Sequence, residues 1–212
     1  MIISSRKELE IILSSLKDFS NPKEILEQWM TPPDIAASMI WSAQEDLRNK
    51  LVADFGAGTE ILGIGALLIG AKKVYFVEID KEALKICESN IKLIEEMLEI
   101  EFNYELINDD VRNFSYTIDT VIMNPPWGLE KRRHLDRVFI LTAFKNAEVV
   151  YTLIHYSKES LSFFEKLAKK HSFSMETIAL VRFPLKFQYK HHRRPIKYVS
   201  ASFICFRKKT CC

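Results

Sequence analysis

The sequence has few of the features that mark secreted or membrane proteins. Its four cysteines, Cys87, Cys205, Cys211 and Cys212, show no paired C-x-x-C spacing. A secretory signal and an apolar run long enough to span a bilayer are also missing. We therefore expect a cytoplasmic protein with reduced thiols.

An excess of one charge is missing as well. The 30 basic and 28 acidic residues leave a formal net charge of +2 at pH 7. Composition therefore gives no polyanion-binding signature, and any surface that binds nucleic acid must be local. Internal repeats, low-complexity segments and linkers are lacking too, so the 212 residues predict a single domain, 1–212.

Short apolar runs alternate with helical stretches from residue 51 onward, beginning with LVADF and KVYFVEI. Strands that alternate with helices indicate a parallel sheet covered on both faces. Two strand-like runs near the C-terminus, SMETIALVRFPL and YVSASFICFRK, have no helix between them. We predict an α/β fold with a mostly parallel seven-stranded sheet and a C-terminal antiparallel hairpin.

The first part of the chain has a different pattern. Apolar residues at three- and four-residue spacing predict an amphipathic helix over residues 5–18. A second helix should start near residue 32, with Thr31 as its capping residue and prolines in its first turn. We therefore divide the domain into an N-terminal helical extension, 1–48, and a core, 49–212.

A glycine-rich turn follows the first predicted strand. Gly56 and Gly58 stand between LVADF and an apolar helix, where glycines let the backbone approach a ligand closely. The third glycine of a G-x-G-x-x-G dinucleotide fingerprint would fall at Ile61, which weakens a nicotinamide or flavin interpretation. The looser D-x-G-x-G pattern led by Asp54 suits S-adenosylmethionine, which has no pyrophosphate to bind.

Acidic residues follow the next two strands at the same predicted edge of the sheet. Glu78 ends the second strand, where a carboxylate can accept hydrogen bonds from both ribose hydroxyls; we assign Asp80 to a helix cap. Asp110 follows the third strand and can accept from an adenine amino group, with the Val111 N–H on a ring nitrogen. The alternative for Asp110 is an ordinary turn.

The fourth strand runs into Asn124, Pro125, Pro126 and Trp127. The Asn124 amide oxygen and the Pro125 carbonyl can accept hydrogen bonds from an exocyclic amine, and Trp127 can stack on the ring that bears it. The alternative is a plain strand-terminating turn. After this glycine-rich turn and Glu78, the element predicts a pocket for a planar NH2 group. The chemistry needs no metal, and no general base is evident, so we expect the proton to leave after methyl transfer.

Together these motifs resemble class I S-adenosylmethionine-dependent methyltransferases with a Rossmann-like fold. Among them the chain is similar to the methyltransferase-like family that modifies the N6 of one adenosine in small-subunit ribosomal RNA. The likeness includes LEQWMTPPDIAASMI, DFGAGTEILGIGALLIGAKKV, the acid at Glu78, the DDV segment and VIMNPPWG. Eukaryotic relatives usually have Phe in place of Trp127 and Asp in place of Glu78, and both substitutions preserve the required chemistry.

The resemblance implies roles for individual residues. Gln28 and Thr31 would help close over the cofactor, and Asn124 to Trp127 would hold the adenine. It also implies a small zinc-ribbon activator protein, bound as a heterodimer by strand addition near the cofactor edge. The cofactor would be lined by Gly56, Thr59, Ile61, Glu78, Asp110 and Val111, beside Asp54 and Gly58.

Two basic stretches are candidates for RNA contact. Cations near the C-terminus are interleaved with Phe187, Tyr189 and Tyr198, so that charges can neutralise phosphates while rings stack on bases. A solvated charged face is the alternative. The residues concerned are Lys186, Lys190, His191, His192, Arg193, Arg194 and Lys197, together with Lys131, Arg132 and Arg133 after the Asn-Pro-Pro-Trp element.

Two other functions fit parts of this pattern. Protein glutamine N5-methylation would present a planar side-chain amide to the same pocket. A non-catalytic RNA-binding scaffold on a methyltransferase fold would be expected to lose Gly56, Glu78 or Asn124, and all three are present. We therefore predict an S-adenosylmethionine-dependent N6-adenine methyltransferase that acts on RNA.

Overall fold

A seven-stranded sheet forms the centre of the computed structural model, which describes residues 3–128, 134–186 and 196–209. The strand order is β3-β2-β1-β4-β5-β7-β6; the pairs among the first five strands are parallel, and β7 is antiparallel to both β5 and β6. The predicted mostly parallel sheet with a C-terminal hairpin is confirmed. The strands are β1 (Leu51–Phe55), β2 (Lys73–Val77), β3 (Tyr104–Ile107), β4 (Ile118–Met123), β5 (Ala147–His155), β6 (Phe173–Lys186) and β7 (Ile196–Lys208).

Helices cover both faces of the sheet. They are α1 (Arg6–Leu13), α2 (Pro33–Ser42), α3 (Gln44–Leu47), α4 (Ile61–Ile69), α5 (Lys81–Leu98), α6 (Leu135–Asn146) and α7 (Lys158–Lys170), with 3-10 turns at Glu24–Leu26 and Val111–Asn113. On one face of the sheet, the five helices from α1 through α5 share an apolar cluster with the strands. On the other face, α6, α7 and the second 3-10 turn form another apolar cluster with the strands. Among the described helices, none is long and apolar enough to cross a membrane.

The close contact of α4 with the sheet depends on a glycine. A Cβ built on Gly63 would lie 2.1 Å from Cε1 of Phe76, a buried ring on β2. In dinucleotide-binding folds the third glycine of the fingerprint permits such helix–strand packing. Because Ile61 occupies that third position, Gly63 takes over its packing role two residues later.

The N-terminal helix is shorter than the predicted 5–18, because it ends at Leu13. The Ser14 and Ser15 hydroxyls donate to the carbonyls of Ile11 and Ile12, and such local bonds compete with helix continuation. Thr31 as capping residue was also wrong. The N-cap position of α2 is Pro32, without a side-chain cap, and the Thr31 hydroxyl is used elsewhere.

Candidate active site

A cavity of about 580 Å³ opens at the carboxyl ends of β1, β2 and β4. Its size is within the usual range for small-molecule and cofactor sites, and its position is the one at which open α/β sheets bind ligands. The cavity is lined by most of the predicted cofactor and acceptor residues: Gln28, Thr31, Asp54, Gly56, Gly58, Thr59, Ile61, Glu78, Asp110, Val111, Asn124 and Pro126.

The glycine-rich turn forms one wall. Gly56 and Gly58 have φ angles of +67° and +56°, in the left-handed region that favours glycine. The N–H groups of Gly56 and Ala57 both donate to the Val77 carbonyl, at 2.9 and 3.1 Å. A Cβ on Gly58 would lie 2.8 Å from Cζ of Phe19, so a side chain there would collide with this ring. The turn therefore requires glycine both for its backbone conformation and for its close contact with Phe19.

Glu78 joins this turn to the end of β2. Its Oε2 accepts from the Gly58 N–H at 2.9 Å, and its Oε1 accepts from the Asp80 N–H at 2.8 Å. Burial raises the pKa of the Glu78 carboxyl, which these backbone hydrogen bonds oppose. Each carboxylate oxygen has further acceptor capacity, so the predicted contact with both ribose hydroxyls is compatible with this geometry and stays a prediction.

Two further buried acids lie beside the turn. Asp54 accepts from the Gly63 N–H at 2.8 Å, and burial, aided by the nearby Glu78 charge, raises the pKa of Asp54 to about 7. Glu60 is fully buried with φ +71°, and it receives a 3.2 Å hydrogen bond from Nδ2 of Asn90. Burial raises the pKa of Glu60 well above its usual range. The three carboxyls form an environment in which a cationic ligand favours ionisation.

Sequence reasoning missed Glu60, although it follows directly after the glycine-rich turn. Its Oε2 has no hydrogen-bond partner among the described residues. A buried carboxyl oxygen without a partner is rare and costly. Glu60 also lines the cavity. The turn at Gly58 and this acidic wall fit a cofactor that carries positive charge.

Residues 17–31, which we call the strap, close the cavity from the N-terminal side. Gln28 donates to Asp80 Oδ2 at 2.8 Å, and Lys23 Nζ donates to Asp80 Oδ1 at 2.7 Å. Burial tends to raise the pKa of Asp80, but these two donors lower it overall. Asp80 also accepts from the Glu82 N–H at the start of α5, which confirms the cap that the sequence indicated.

The other end of the strap is held by Asn90 of α5. Its amide oxygen accepts from the Lys17 N–H at 2.9 Å, and its Nδ2 donates to the Lys17 carbonyl at 3.0 Å. Phe19, two residues later, lines the cavity against Gly58. No local pattern in the sequence indicated Phe19, because it reaches the cavity only through this long-range contact.

The acceptor residues lie at the opposite wall, immediately after β4. Nδ2 of Asn124 donates to Oγ1 of Thr31 at 3.1 Å, and the Gly128 N–H donates to Oε2 of Glu27 at 3.1 Å. Asn124 and Pro126 line the cavity, whereas Pro125 is buried. Phe139 of α6 also lines it and lies 3.0 Å from a Cβ built on Gly56. The strap therefore contacts both the cofactor and the acceptor sides.

Trp127 is packed more deeply than a stacking platform requires. Its Nε1 donates to the Leu153 carbonyl at 3.2 Å, and its ring meets Phe183 edge-on at a centroid distance of 5.1 Å. The side chain is 8% exposed and is not among the residues that line the cavity. Its stacking on a substrate ring stays a prediction, and it requires one ring face to be uncovered.

Known proteins are similar either to the part of the chain around the cavity or to nearly its whole length. A family model described as ribosomal protein L11 methyltransferase (PrmA) matches residues 35–125. The rRNA N(6)-adenosine-methyltransferase METTL5 of Danio rerio is 35% identical over an alignment of 209 positions, which covers 94% of this chain and 97% of the relative. The chain belongs to the METTL5 family.

Two further relatives agree with this membership. The METTL5-family rRNA N(6)-adenosine-methyltransferase of Drosophila melanogaster is 31% identical, with 93% of each chain covered. The crystal structure of a candidate RNA methyltransferase from Pyrococcus horikoshii has a TM-score of 0.87 and 38% identity, covering 97% of this chain and 98% of the other. The chain is therefore a methyltransferase with a Rossmann-like fold, and its cofactor is S-adenosylmethionine.

In this METTL5-family chain the Asp110 carboxylate forms an ion pair with Arg112, besides its predicted contact with the cofactor. Its carboxylate accepts from the Arg112 N–H at 2.9 Å and forms a fork with the guanidinium, at 2.9 Å to Nε and 2.6 Å to Nη2. Asp110 thus occupies the turn position that the alternative interpretation described, while it also lines the cavity. A contact with the cofactor's adenine would have to share the carboxylate with Arg112.

The predicted RNA-contact residues of this METTL5-family chain are only partly placed. Lys197 is exposed on β7, and Lys186 is the last residue of β6, with its side chain outside the described part. The other predicted RNA-contact residues lie outside the described residues: Lys131, Arg132, Arg133, Lys190, His191, His192, Arg193 and Arg194.

Proposed function

We propose that the chain transfers a methyl group from S-adenosylmethionine to the N6 of one adenosine in small-subunit ribosomal RNA. The observation that carries the proposal is that Asn124 lines the same cavity as the glycine-rich turn and Glu78. An amine held by Asn124 would therefore face the cofactor. The names of the METTL5 relatives give ribosomal RNA as the substrate of those proteins.

The proposal assigns the cofactor residues as follows. The backbone at Gly56 and Gly58 approaches the cofactor, Glu78 accepts from its ribose, and Asp110 and Val111 meet its adenine. Asp54 and Glu60 lie near the turn, where burial raises the pKa of both carboxyls and a cationic ligand would favour their ionised forms. The remaining contacts come from Gln28, Thr31, Thr59 and Ile61, which line the cavity.

The acceptor residues orient the nucleophile. The Asn124 amide oxygen and the Pro125 carbonyl accept from the N6 amine, which directs its lone pair toward the methyl carbon. When bound, S-adenosylmethionine supplies an electrophilic methyl group on a sulfonium, which departs as a neutral thioether. Among the described residues that line the cavity there is no His or Lys. The N6 proton becomes strongly acidic once the new N–C bond forms and passes to solvent.

RNA and a protein partner complete the proposal. The basic stretches at residues 131–133 and 186–197 would contact phosphates. A zinc-ribbon activator would add a strand to β3, an edge strand whose four residues are all only partly buried. The exposed Ile79 and Tyr116, at the ends of neighbouring segments, support an apolar contact there. Ribosomal RNA as substrate also supports a cytoplasmic location.

Methylation of a protein is the second candidate, because the PrmA model matches residues 35–125. That segment contains the glycine-rich turn, Glu78 and Asn124, but it ends before Trp127 and the hairpin of β6 and β7. The match therefore supports the assignment of the cofactor-binding residues and gives no information about the surface that binds the substrate. Glutamine N5-methylation stays the specific form of this alternative.

Transfer of a labelled methyl group separates these functions. The protein, with and without a zinc-ribbon activator, is incubated with labelled cofactor and ribosomal subunits, and label is counted in RNA and protein fractions. We expect label in small-subunit RNA at the N6 of one adenosine, located by nuclease digestion and mass spectrometry. Label in a protein glutamine would overturn the adenine assignment, and cofactor binding without transfer to any RNA would favour the scaffold.

A further inference from the structure

The strap holds the acceptor loop, residues 124–128, at both ends. Thr31 contacts Asn124 at the start of the loop, and Glu27 contacts Gly128 at its end. We propose that Thr31 and Glu27 are positioning residues for methyl transfer: Thr31 fixes the amide orientation of Asn124, and Glu27 fixes the backbone at the far end of the loop. This inference rests on the proposed function of Asn124.

The Thr31 hydroxyl acts on a torsion that is otherwise weakly restricted. The terminal torsion of an asparagine is broad and roughly two-fold, so the amide has two orientations of similar energy. Thr31 is 3% exposed, and its Oγ1 accepts from Nδ2 of Asn124 at 3.1 Å. Because the amide is planar, holding Nδ2 on Thr31 directs the Asn124 oxygen away from the strap, so it can accept from an amine.

The opposite amide orientation would be unproductive. It would present an NH2 group to an acceptor amine that is itself a donor, and the lone pair of that amine would not be directed toward the methyl. A small error in the placement of a reacting group lowers the rate strongly even when binding is retained. Thr31 therefore affects the rate of transfer more than the affinity for the cofactor.

Glu27 has an unusual backbone that directs its carboxylate to the loop. It follows the 3-10 turn Glu24–Leu26 and has φ +50°, a left-handed conformation that is uncommon for a residue with a side chain. Its side chain is buried at 9% exposure, and its Oε2 accepts from the Gly128 N–H at 3.1 Å. The loop is thereby closed on the strap where it leaves the cavity.

Hydrogen bonds hold the strap on the core of the domain, so that it can position the acceptor loop. Gln28 and Lys23 bind Asp80, and Asn90 holds Lys17 through two hydrogen bonds. Gln28 stands between Glu27 and Thr31 in the sequence. The residues that hold the acceptor loop therefore belong to the same fastened segment that closes the cofactor cavity.

Two substitutions of Thr31 test the hydroxyl. Thr31→Val keeps the shape but removes the acceptor, and Thr31→Ser keeps the acceptor. We expect Thr31→Val to lower kcat roughly 10- to 100-fold while the Kd for S-adenosylmethionine changes less than about threefold, and Thr31→Ser to retain most activity. Thr120→Val is the matched control, because this buried threonine donates to the Asp46 carbonyl outside the cavity. It should keep kcat even if its Tm falls.

A double-mutant cycle shows whether Thr31 acts through Asn124. In an Asn124→Ala background, Thr31→Val should cause no further loss of kcat. A multiplicative loss in the double variant would overturn the inference. So would a Thr31→Val enzyme that loses cofactor affinity at unchanged kcat, since Thr31 would then be a cofactor contact alone.

Glu27 has its own pair of variants. Glu27→Gln keeps an oxygen that can accept from the Gly128 N–H, whereas Glu27→Ala removes it. We expect Glu27→Ala to lower kcat several-fold more than Glu27→Gln at similar cofactor Kd. Equal losses in both variants would show that the negative charge, and not the acceptor, is what the loop requires, and would overturn this part of the inference.

One readout is independent of the substrate. In the NMR spectrum of the protein with S-adenosylmethionine, the side-chain amide of Asn124 should exchange slowly in the wild type and rapidly in Thr31→Val. Unchanged exchange in Thr31→Val would overturn the positioning role whatever the substrate. If exchange changes as expected but no RNA adenosine is methylated, the positioning contact stands and the proposed function fails.

Discussion

The cavity has a cofactor wall, formed by the glycine-rich turn and the acids beside it, and an acceptor wall, formed by residues 124–128 and the strap. The hydrogen-bonded residues of the two walls are separated by very different lengths of chain. Gly58 and Glu78, which close the cofactor wall, are 20 residues apart, and Asp54 and Gly63 are 9 apart. On the acceptor wall, Thr31 and Asn124 are 93 residues apart, and Glu27 and Gly128 are 101 apart. The cofactor wall is thus a local supersecondary unit, whereas the acceptor wall exists only after the strap has docked.

The cofactor wall and the contact of Asn124 also differ in charge. The cofactor wall contains three buried carboxyls, Asp54, Glu60 and Glu78, whose pKa values are all raised, first of all by burial. The described acceptor contacts of Asn124 are those of a neutral amide with a neutral hydroxyl. Cofactor binding should therefore depend on protonation, while acceptor geometry should depend on the orientation of hydrogen bonds.

The largest expected effect separates the two walls. Asn124→Ala removes the oxygen that holds the acceptor amine and leaves the cofactor wall intact. We expect kcat to fall by about 10²- to 10³-fold, the range for losing one positioned hydrogen-bonding group in an active site. Isothermal titration calorimetry should give a cofactor Kd close to that of the wild type. A parallel loss of cofactor affinity would mean that Asn124 belongs to both walls.

Glu78 gives the reciprocal test. Glu78→Ala removes the acceptor for the Gly58 and Asp80 N–H groups together with the proposed ribose contact. A charge-assisted hydrogen bond contributes about 1.5–3 kcal/mol, so the cofactor Kd should rise roughly 10- to 100-fold. Glu78→Asp is the conservative control and should recover much of the affinity in the same calorimetric titration. Loss of kcat at saturating cofactor with an unchanged Kd would contradict the assignment.

The same distances explain how much of the site the sequence could predict. Asp54, Gly56, Gly58 and Glu78 were identified from strand, turn and acid spacing, and all four line the cavity. The strands and the terminal hairpin were predicted because hydrophobic periodicity is a local signal. These features need only short segments of chain, which is why they could be read without a structure.

The missed features are long-range or depend on burial. Phe19 reaches the cavity only because Asn90 holds Lys17, and a pattern along the chain cannot show that pairing. The local pattern predicted Thr31 as a helix cap, whereas the family resemblance placed it at the cofactor, and it does line the cavity. Its contact with Asn124 was not predicted. Trp127 looked like a free ring, yet it packs on Phe183, which is 56 residues later in the sequence.

The acidic wall predicts a pH dependence of cofactor binding. The pKa of Asp54 is about 7 in the folded protein, so much of this carboxyl is protonated at pH 6, whereas a cationic cofactor favours the ionised form. The cofactor Kd should therefore be about tenfold higher at pH 6 than at pH 8. Protonation of Glu60 and Glu78 should raise the Kd in the same direction. Titrations across this range measure it, and Asp54→Asn should flatten the dependence.

Stability without cofactor should change in the opposite direction. The pKa of Asp54 is raised from a reference of 3.8 to about 7, so its stabilising contribution is full below the lower value and is lost as pH rises through about 7. Between pH 5 and 7.5 the free wild-type protein should therefore lose more Tm than Asp54→Asn does. A wild-type cofactor Kd that stays flat from pH 6 to 8 would show that cofactor binding does not change the protonation of these acids, and would contradict the predicted dependence.

The smallest expected effect concerns RNA, and it should leave the cofactor wall untouched. If Arg193 and Arg194 each neutralise one phosphate, the double change to Ala should reduce the slope of log affinity against log salt by about two and weaken RNA binding several-fold at moderate salt. Lys92→Ala is the control, since this exposed lysine pairs with Glu88 on α5. Filter binding at several salt concentrations measures both. An unchanged slope in the arginine variant would mean that the acceptor RNA reaches Asn124 without phosphate contacts from these two arginines, and would leave the strap and the acceptor loop as the surface that selects the substrate.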